Sequence, residues 1–290
     1  MSAKQLKFTV PDDCDGMKAQ TFLRKRCNVS ARIITLLKRE KSGILRNGEN
    51  LKTIETLHSG DEITLNLPHD KNKITPMKGD LNIVYEDNYL IAVDKPWNMP
   101  VHPTKVHQED TLANILKYIQ EQKGESYTFR AVNRLDKDTS GVVLIAKDKY
   151  TATALQCNVS KTYIAVCEGE IKHRGTIDKP IRLLDGHTVQ RTVADDGKSA
   201  VTHYSPIKSD GSHTMLKITL ETGRTHQIRC HLSSIGHPLA GDDMYGGSLE
   251  FISRQALHCL SVEFIHPITT EKVNIITDLP QDIENIIKGL

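Results

Sequence analysis

Several common kinds of chemistry are missing from this 290-residue chain, and each absence narrows what it can do. Its six cysteines (Cys14, Cys27, Cys157, Cys167, Cys230, Cys259) are scattered, with no Cys-x-x-Cys pair. Neither a zinc ribbon nor a disulfide framework is indicated, and reduced core residues are expected. No Gly-x-Gly-x-x-Gly stands ready for a dinucleotide. Gly197-Lys198-Ser199 ends like a phosphate-binding loop, but the stretch before it, Arg191-Thr192-Val193, lacks the upstream glycine. Thr139-Ser140-Gly141 is not a nucleophile elbow, because the Gly-x-Ser-x-Gly pattern is absent. His226, His231 and His237 are spaced by five and six, which does not stack ligands on one helical face, so no metal site is expected. No stretch approaches the ~20 consecutive apolar residues of a membrane helix. The opening Met-Ser-Ala-Lys-Gln-Leu-Lys has no apolar signal core, and a cytoplasmic protein without membrane attachment is expected. There is no internal repeat and no low-complexity tract.

What is present begins with charge. The net charge of +2 is uninformative until it is mapped along the chain. Residues 16–52 hold ten basic side chains, among them Arg24, Lys25 and Arg26, against acidic Glu40 and Glu49. The rest of the chain carries 28 basic and 34 acidic residues, so a basic head precedes an acidic body. That asymmetry fits a polyanion partner, and it also fits a solvated lysine-rich surface. In the head, Ala19, Phe22, Leu23 and Cys27 mark one helical face, with Arg24, Lys25 and Arg26 off it. Ser30 can cap a second helix carrying Ile33, Ile34 and Leu37. Ile44-Leu45-Arg46 leads into the hairpin signal Asn47-Gly48, and Ile63, Leu65 and Leu67 alternate as a strand. The expectation is a small helix-helix-strand domain over residues 1–68.

Residues 69–80 are polar, with proline, glycine and no periodicity, and read as a linker. A second domain is expected over 81–290. Two strands joined through Glu86-Asp87-Asn88 open it, Asp110 is expected to cap a helix with Leu112, Ile115, Leu116 and Ile119, and strand-like runs then recur to residue 276. Short connections between them argue for an α+β fold with a mixed, mostly antiparallel central sheet and flanking helices, rather than a regular βαβ array.

Three polar clusters interrupt the apolar pattern. "NRLDKDTSG" (133–141) puts Arg134 and Asp136 beside the strand Val142-Val143-Leu144-Ile145-Ala146. A carboxylate held ionised there can act as a nucleophile or base; equally, Asp136 or Asp138 can simply anchor the turn. In "KTYIAVCEG", Lys161 and Tyr163 share one side of a strand, where Tyr163 is either an ordinary β-sheet residue or a flat platform for a base. In "LETGRTHQIRCHLSSIGHPLAGDDMYGG", Arg224, Thr225, His226, Gln227 and Arg229 follow a strand, either as a site or as a well-capped strand-to-helix junction.

At these residues the sequence resembles the RluA-type pseudouridine synthase family. The likeness spans residues 81–279 and rests on "VDKPWNMPVHPT", "RLDKDTSGVVLIAKD", "KTYIAVCEG" and "GRTHQIRCHLSSIGHPLAGDDMYG", in that order. The head likewise resembles a small RNA-binding module shared with a ribosomal small-subunit protein. By this resemblance Asp136 matches the essential aspartate, Tyr163 the residue that stacks on the target base and Arg229 the cation paired with the aspartate. Arg134 and Thr139 match positions that shape the catalytic loop; Arg224 and His226 fall in the substrate-binding motif. Where many members have His, this chain has Asn133. The implied activity is uridine-to-pseudouridine isomerisation without a cofactor, on ribosomal RNA (large subunit favoured) or transfer RNA, with a monomer sufficing. The competing readings are a non-catalytic RNA-binding assembly factor led by the basic head, and a hydrolase using Asp136 and His226.

Overall fold

The computed structural model describes residues 4–67, 74–156 and 158–289. In the head, β1 (Lys4–Thr9), α1 (Ala19–Lys25), α2 (Ala31–Leu37), β2 (Ile44–Arg46), β3 (Glu49–Asn50) and β4 (Glu62–Leu67) form a four-stranded sheet, order β1-β4-β2-β3, with two short helices. Asn47 and Gly48 both take positive φ (52° and 89°), the geometry that lets β2 fold straight back into β3. Ser30 caps α2 as expected, accepting from the Ile33 N–H at 3.3 Å. Strand β1 was not read from the sequence; its Leu6 joins Phe22, Leu23, Ile33, Ile34, Leu37, Ile63 and Leu65 in one core.

The body contains β5 (Asn82–Glu86), β6 (Leu90–Lys95), α3 (Leu112–Gln122), β7 (Arg130–Ala131), β8 (Ser140–Ala146), α4 (Lys149–Leu155), β9 (Val159–Glu168), β10 (Gly175–Asp178), β11 (Ile181–Leu183), β12 (Arg191–Val193), β13 (Val201–Ser209), β14 (His213–Leu220), α5 (Gln227–Ser234), β15 (Leu257–Ile265), β16 (Lys272–Ile276) and α6 (Gln281–Gly289). Ten strands make the main sheet, along the path β10-β13-β14-β9-β15-β8-β6-β5, with β16 beside β15 and β7 beside β8. Among the described residues β15 and β8 are its parallel pair, and its other pairings are antiparallel. The α+β class and the mixed, mostly antiparallel sheet are as the sequence implied.

Strand β8 lies inside this sheet between β15 and β6, and all seven of its residues are buried. Each large apolar side chain there contributes roughly 1.5–3 kcal/mol by leaving water. Gly141 sits at its start with φ +110°, where a Cβ would lie 2.2 Å from the Cys259 carbonyl oxygen, so only glycine permits the β8–β15 approach.

Two local expectations are corrected or bounded. The cap of α3 is Thr111, whose N–H donates to the Asn114 side chain (3.2 Å), while Asp110 turns instead to His107 at 2.6 Å. Of the segment 69–80, residues 69–73 lie outside those described; the Thr75 carbonyl and the Met77 N–H bond to Asn114, at 2.8 and 3.1 Å. Cys14, Cys27, Cys167, Cys230 and Cys259 are free and buried, and Cys157 lies outside the described residues. No helix among those residues is long and apolar enough to cross a membrane. Head and body meet where the Phe8 ring packs edge-on against Tyr150 of α4, centroids 5.8 Å apart, with Tyr89 and Ile268 alongside.

Candidate active site

The 133–139 loop enters β8, and its backbone is fastened at every carbonyl from 136 to 138. The Asp136 carbonyl accepts from the Thr139 N–H at 3.1 Å. That of Lys137 accepts from the Lys95 ammonium at 3.0 Å and from the Met99 N–H at 3.1 Å. That of Asp138 accepts from Arg254 at 3.1 Å. Upstream, the buried Asn133 amide donates to the Val142 carbonyl (2.9 Å) and accepts from the Leu144 N–H (2.8 Å), standing in for a strand partner. These two hydrogen bonds give Asn133 a structural role where the family often has His. A loop so held spends no entropy on ordering when a substrate arrives.

The loop presents the Asp136 side chain, 28% exposed, to α5. Residue His226 caps that helix in the left-handed region (φ 55°), and Arg229 follows one turn later, placing both against Asp136. Nη1 of Arg229 lies 3.4 Å from the Asp136 carboxylate and Nε2 of His226 lies 3.8 Å away. The guanidinium is not free to wander. Its Nε and Nη2 grip both oxygens of Asp242 at 2.6 and 2.8 Å, and its plane lies 5.0 Å from the Tyr245 ring centroid. Burial works against the Arg229 charge, but Asp242, with Asp136 behind it, raises its pKa above the ordinary value. Burial pushes His226 the other way, lowering its pKa despite Asp136, so near neutral pH it is an uncharged ring whose Nδ1 meets the Tyr245 hydroxyl at 3.0 Å. Arg229 is therefore the cation that faces Asp136.

An open cleft of about 1530 Å³ lies over this loop. Asp136, Arg134, Tyr163 and Arg224 line it, with Lys161 beside Tyr163. Tyr163, 5% exposed, stands on β9 opposite Cys259 of β15; burial first, then Cys259, raises its pKa well above 10, so its hydroxyl stays protonated. Exposed Arg134 is at the mouth, and its charge adds to burial in lowering the pKa of His102. Arg224 reaches across to the Ser199 carbonyl at 2.9 Å. Thr139 is elsewhere: buried behind the loop, its hydroxyl accepts from Gln255 at 3.2 Å, which makes it a brace for the turn. Arg24, Lys25 and Arg26 are exposed on the head, although Arg26 is paired with Asp13 and so offers less charge than the sequence count suggested. Asn28, just beyond them, lines the far end of the same cleft.

The sequence reading missed the residues that organise this site from behind. Asp242 and Tyr245 sit in the quoted "AGDDMYG" stretch and Lys95 in "VDKP", yet local pattern gives no sign that Asp242 is buried against Arg229 or that Lys95 is fully enclosed. Arg254, bound to Asp282 through two bonds at 2.7 and 2.9 Å, lay in no motif at all.

Residues 89–234 match the family model described as RNA pseudouridylate synthase. The chain is 37% identical over 251 residues to a Bacillus subtilis protein described as the uncharacterized RNA pseudouridine synthase YhcT, covering 83% of each. It is 38% identical over 259 residues to the ribosomal large subunit pseudouridine synthase D of Pseudomonas aeruginosa, covering 81% of this chain and 80% of the relative. Among solved structures, human RNA pseudouridylate synthase domain containing 4 superimposes with a TM-score of 0.56 at 26% identity, over 71% of this chain and 92% of that one. Sequence, fold and the polar cleft at the end of β8 agree: the chain belongs to the RNA pseudouridylate synthase family and is an enzyme of that class.

Proposed function

We propose that this enzyme isomerises uridines of large-subunit ribosomal RNA, with Asp136 as its essential carboxylate. The observation that carries the reading is the half-buried Asp136 at the floor of the cleft, 3.4 Å from a guanidinium that Asp242 holds in place. The relatives named for the ribosomal large subunit favour that RNA.

Isomerisation breaks the bond from the ribose anomeric carbon to the uracil nitrogen, turns the base and rejoins it through carbon five, whose hydrogen leaves as a proton while the released nitrogen takes one up. Asp136 acts at the sugar, either by attacking the anomeric carbon or by removing the neighbouring proton. Both routes need the carboxylate ionised, and the Arg229 guanidinium stands 3.4 Å from it. Tyr163 is the platform for the uracil. A uridine leaving its stack costs a few kcal/mol, and a base on an aromatic face regains about 1–3 kcal/mol of that. Arg134 and Arg224 at the mouth suit phosphates, His226 stays neutral beside the carboxylate, and Thr139 supports the loop. No cofactor is required, because nothing is oxidised and no group is imported.

Residues 1–68 serve as an RNA-binding domain joined through 69–80 to the catalytic domain, 81–290. Its exposed Arg24 and Lys25, with Arg26, add phosphate contacts. The enzyme works as a monomer in the cytoplasm. The test is release of the carbon-five hydrogen from uridine-labelled ribosomal RNA transcripts: Asp136→Asn should abolish release while keeping RNA affinity. Persistent release would remove Asp136 from the chemistry.

A further inference from the structure

We propose that Trp97 is a stacking platform for a nucleotide that flanks the target uridine, outside the cleft itself. The proposal rests on reading the cleft as the uridine site. Trp97 is the chain's single tryptophan, and it is 44% exposed on the loop that leaves β6. That loop is tied to the Asp136 loop twice. Lys95, two residues before Trp97, and Met99, two residues after it, both bind the Lys137 carbonyl. A few residues later the same loop becomes cleft wall, through Pro100, Val101 and His102. One short segment therefore carries both a wall of the cleft and an indole outside it.

The indole is also held in place. Asn98 adopts φ 58°, turning the chain sharply just after it, and the Arg254 guanidinium lies 6.0 Å from the ring centroid. Arg254 is itself fixed by Asp282 and the Asp138 carbonyl, so one side of the ring is backed by a stationary cation while the remainder meets water. Leaving a rigid aromatic surface in water is unfavourable unless something covers it. The substrate supplies the cover. When a uridine turns out of its stack into the cleft, its neighbours lose a stacking partner, and Trp97, three residues before the cleft-wall residue Pro100, is the exposed aromatic side chain that this segment offers them. Base-on-aromatic stacking tolerates any base, so Trp97 would strengthen binding with little dependence on the flanking sequence.

Because there is no other tryptophan, emission excited beyond the tyrosine absorption band reports on this residue alone. The experiment titrates the wild-type enzyme with a large-subunit ribosomal RNA transcript, following tryptophan emission, acrylamide quenching and filter retention together. Stacking requires emission to fall, and acrylamide access to be lost, in step with retained RNA. In turnover assays, Trp97→Ala should raise KM roughly tenfold, the equivalent of about 1.4 kcal/mol of stacking, with kcat nearly unchanged, and Trp97→Phe should recover most of the loss. RNA retained at saturation with unaltered emission and acrylamide access would overturn the assignment and leave the uridine reading intact. Absence of both retention and carbon-five hydrogen release would bring down the uridine reading and this proposal with it.

Discussion

The Asp136–Arg229 contact is governed by a residue that touches no substrate. Asp242 is fully enclosed and spends both oxygens on Arg229, leaving one edge of the guanidinium for Asp136. Removing its charge strands a buried cation, a change that costs about 3–5 kcal/mol when the partner is lost. Asp242→Asn should therefore lower the unfolding free energy by that margin, seen as a lower urea midpoint, and reduce turnover, because Arg229 loses its fixed direction. An unshifted midpoint would mean that Arg229 finds water or another acceptor. At this scale the sequence was partly legible. The motif order marked Asp136, Tyr163 and Arg229 as matches, but whether a carboxylate stands alone or grips an arginine is decided by chain segments far apart in sequence, and Asp242 was invisible for that reason. Thr139 was legible as part of the loop and not as a brace behind it, since a short polar side chain fits either side of a turn.

Among elements, β8 and its entry carry the most constraint. Strong apolar runs such as Val142 to Ala146 could be read directly, because a strand buried on both faces has a continuous apolar signature. Strand β1 could not: it opens on the polar pair Lys4-Gln5 and offers only Leu6 and Phe8 around Lys7, and pairing with β4 is what makes a strand of it. The cap of α3 was misplaced by one residue, since Asp110 and Thr111 are both good caps and the buried Asn114 beside Thr111 decides between them. Gly141 offers the sharpest test at this scale. Its positive φ and the nearby Cys259 carbonyl mean that Gly141→Ala should destabilise the fold by at least about 3 kcal/mol through strain and overpacking, measured by urea unfolding. A change within the roughly ±0.5 kcal/mol of an ordinary surface substitution would contradict the close β8–β15 approach.

For the whole molecule, the head reaches the cleft through Asn28, which helps line it, and packs on the body through Phe8 and Tyr150. Replacing Arg24, Lys25 and Arg26 by alanine should weaken RNA binding and flatten its dependence on salt, measured as the slope of log affinity against log salt. The loss should be smaller than three free cations would give, because Arg26 is already paired with Asp13. An unchanged slope would take RNA anchoring away from the head. Stability has its own pH signature. Burial lowers the pKa values of His102, His226, His231 and His258, the last to about 4. Unfolded histidines titrate near 6.5, so as pH falls from there toward 4 the unfolded chain takes up protons that the folded chain refuses. Stability should decline across that window, and a flat denaturation midpoint between pH 7 and pH 5 would contradict the buried neutral rings.

Whether Asp136 is the essential carboxylate and ribosomal RNA the substrate is tested by a chemical map of pseudouridine in cells lacking the protein, with wild-type or Asp136→Asn chains returned. Specific large-subunit sites should disappear and be restored by wild type alone. Sites lost only from transfer RNA would overturn the substrate, and restoration by Asp136→Asn would contradict the chemistry.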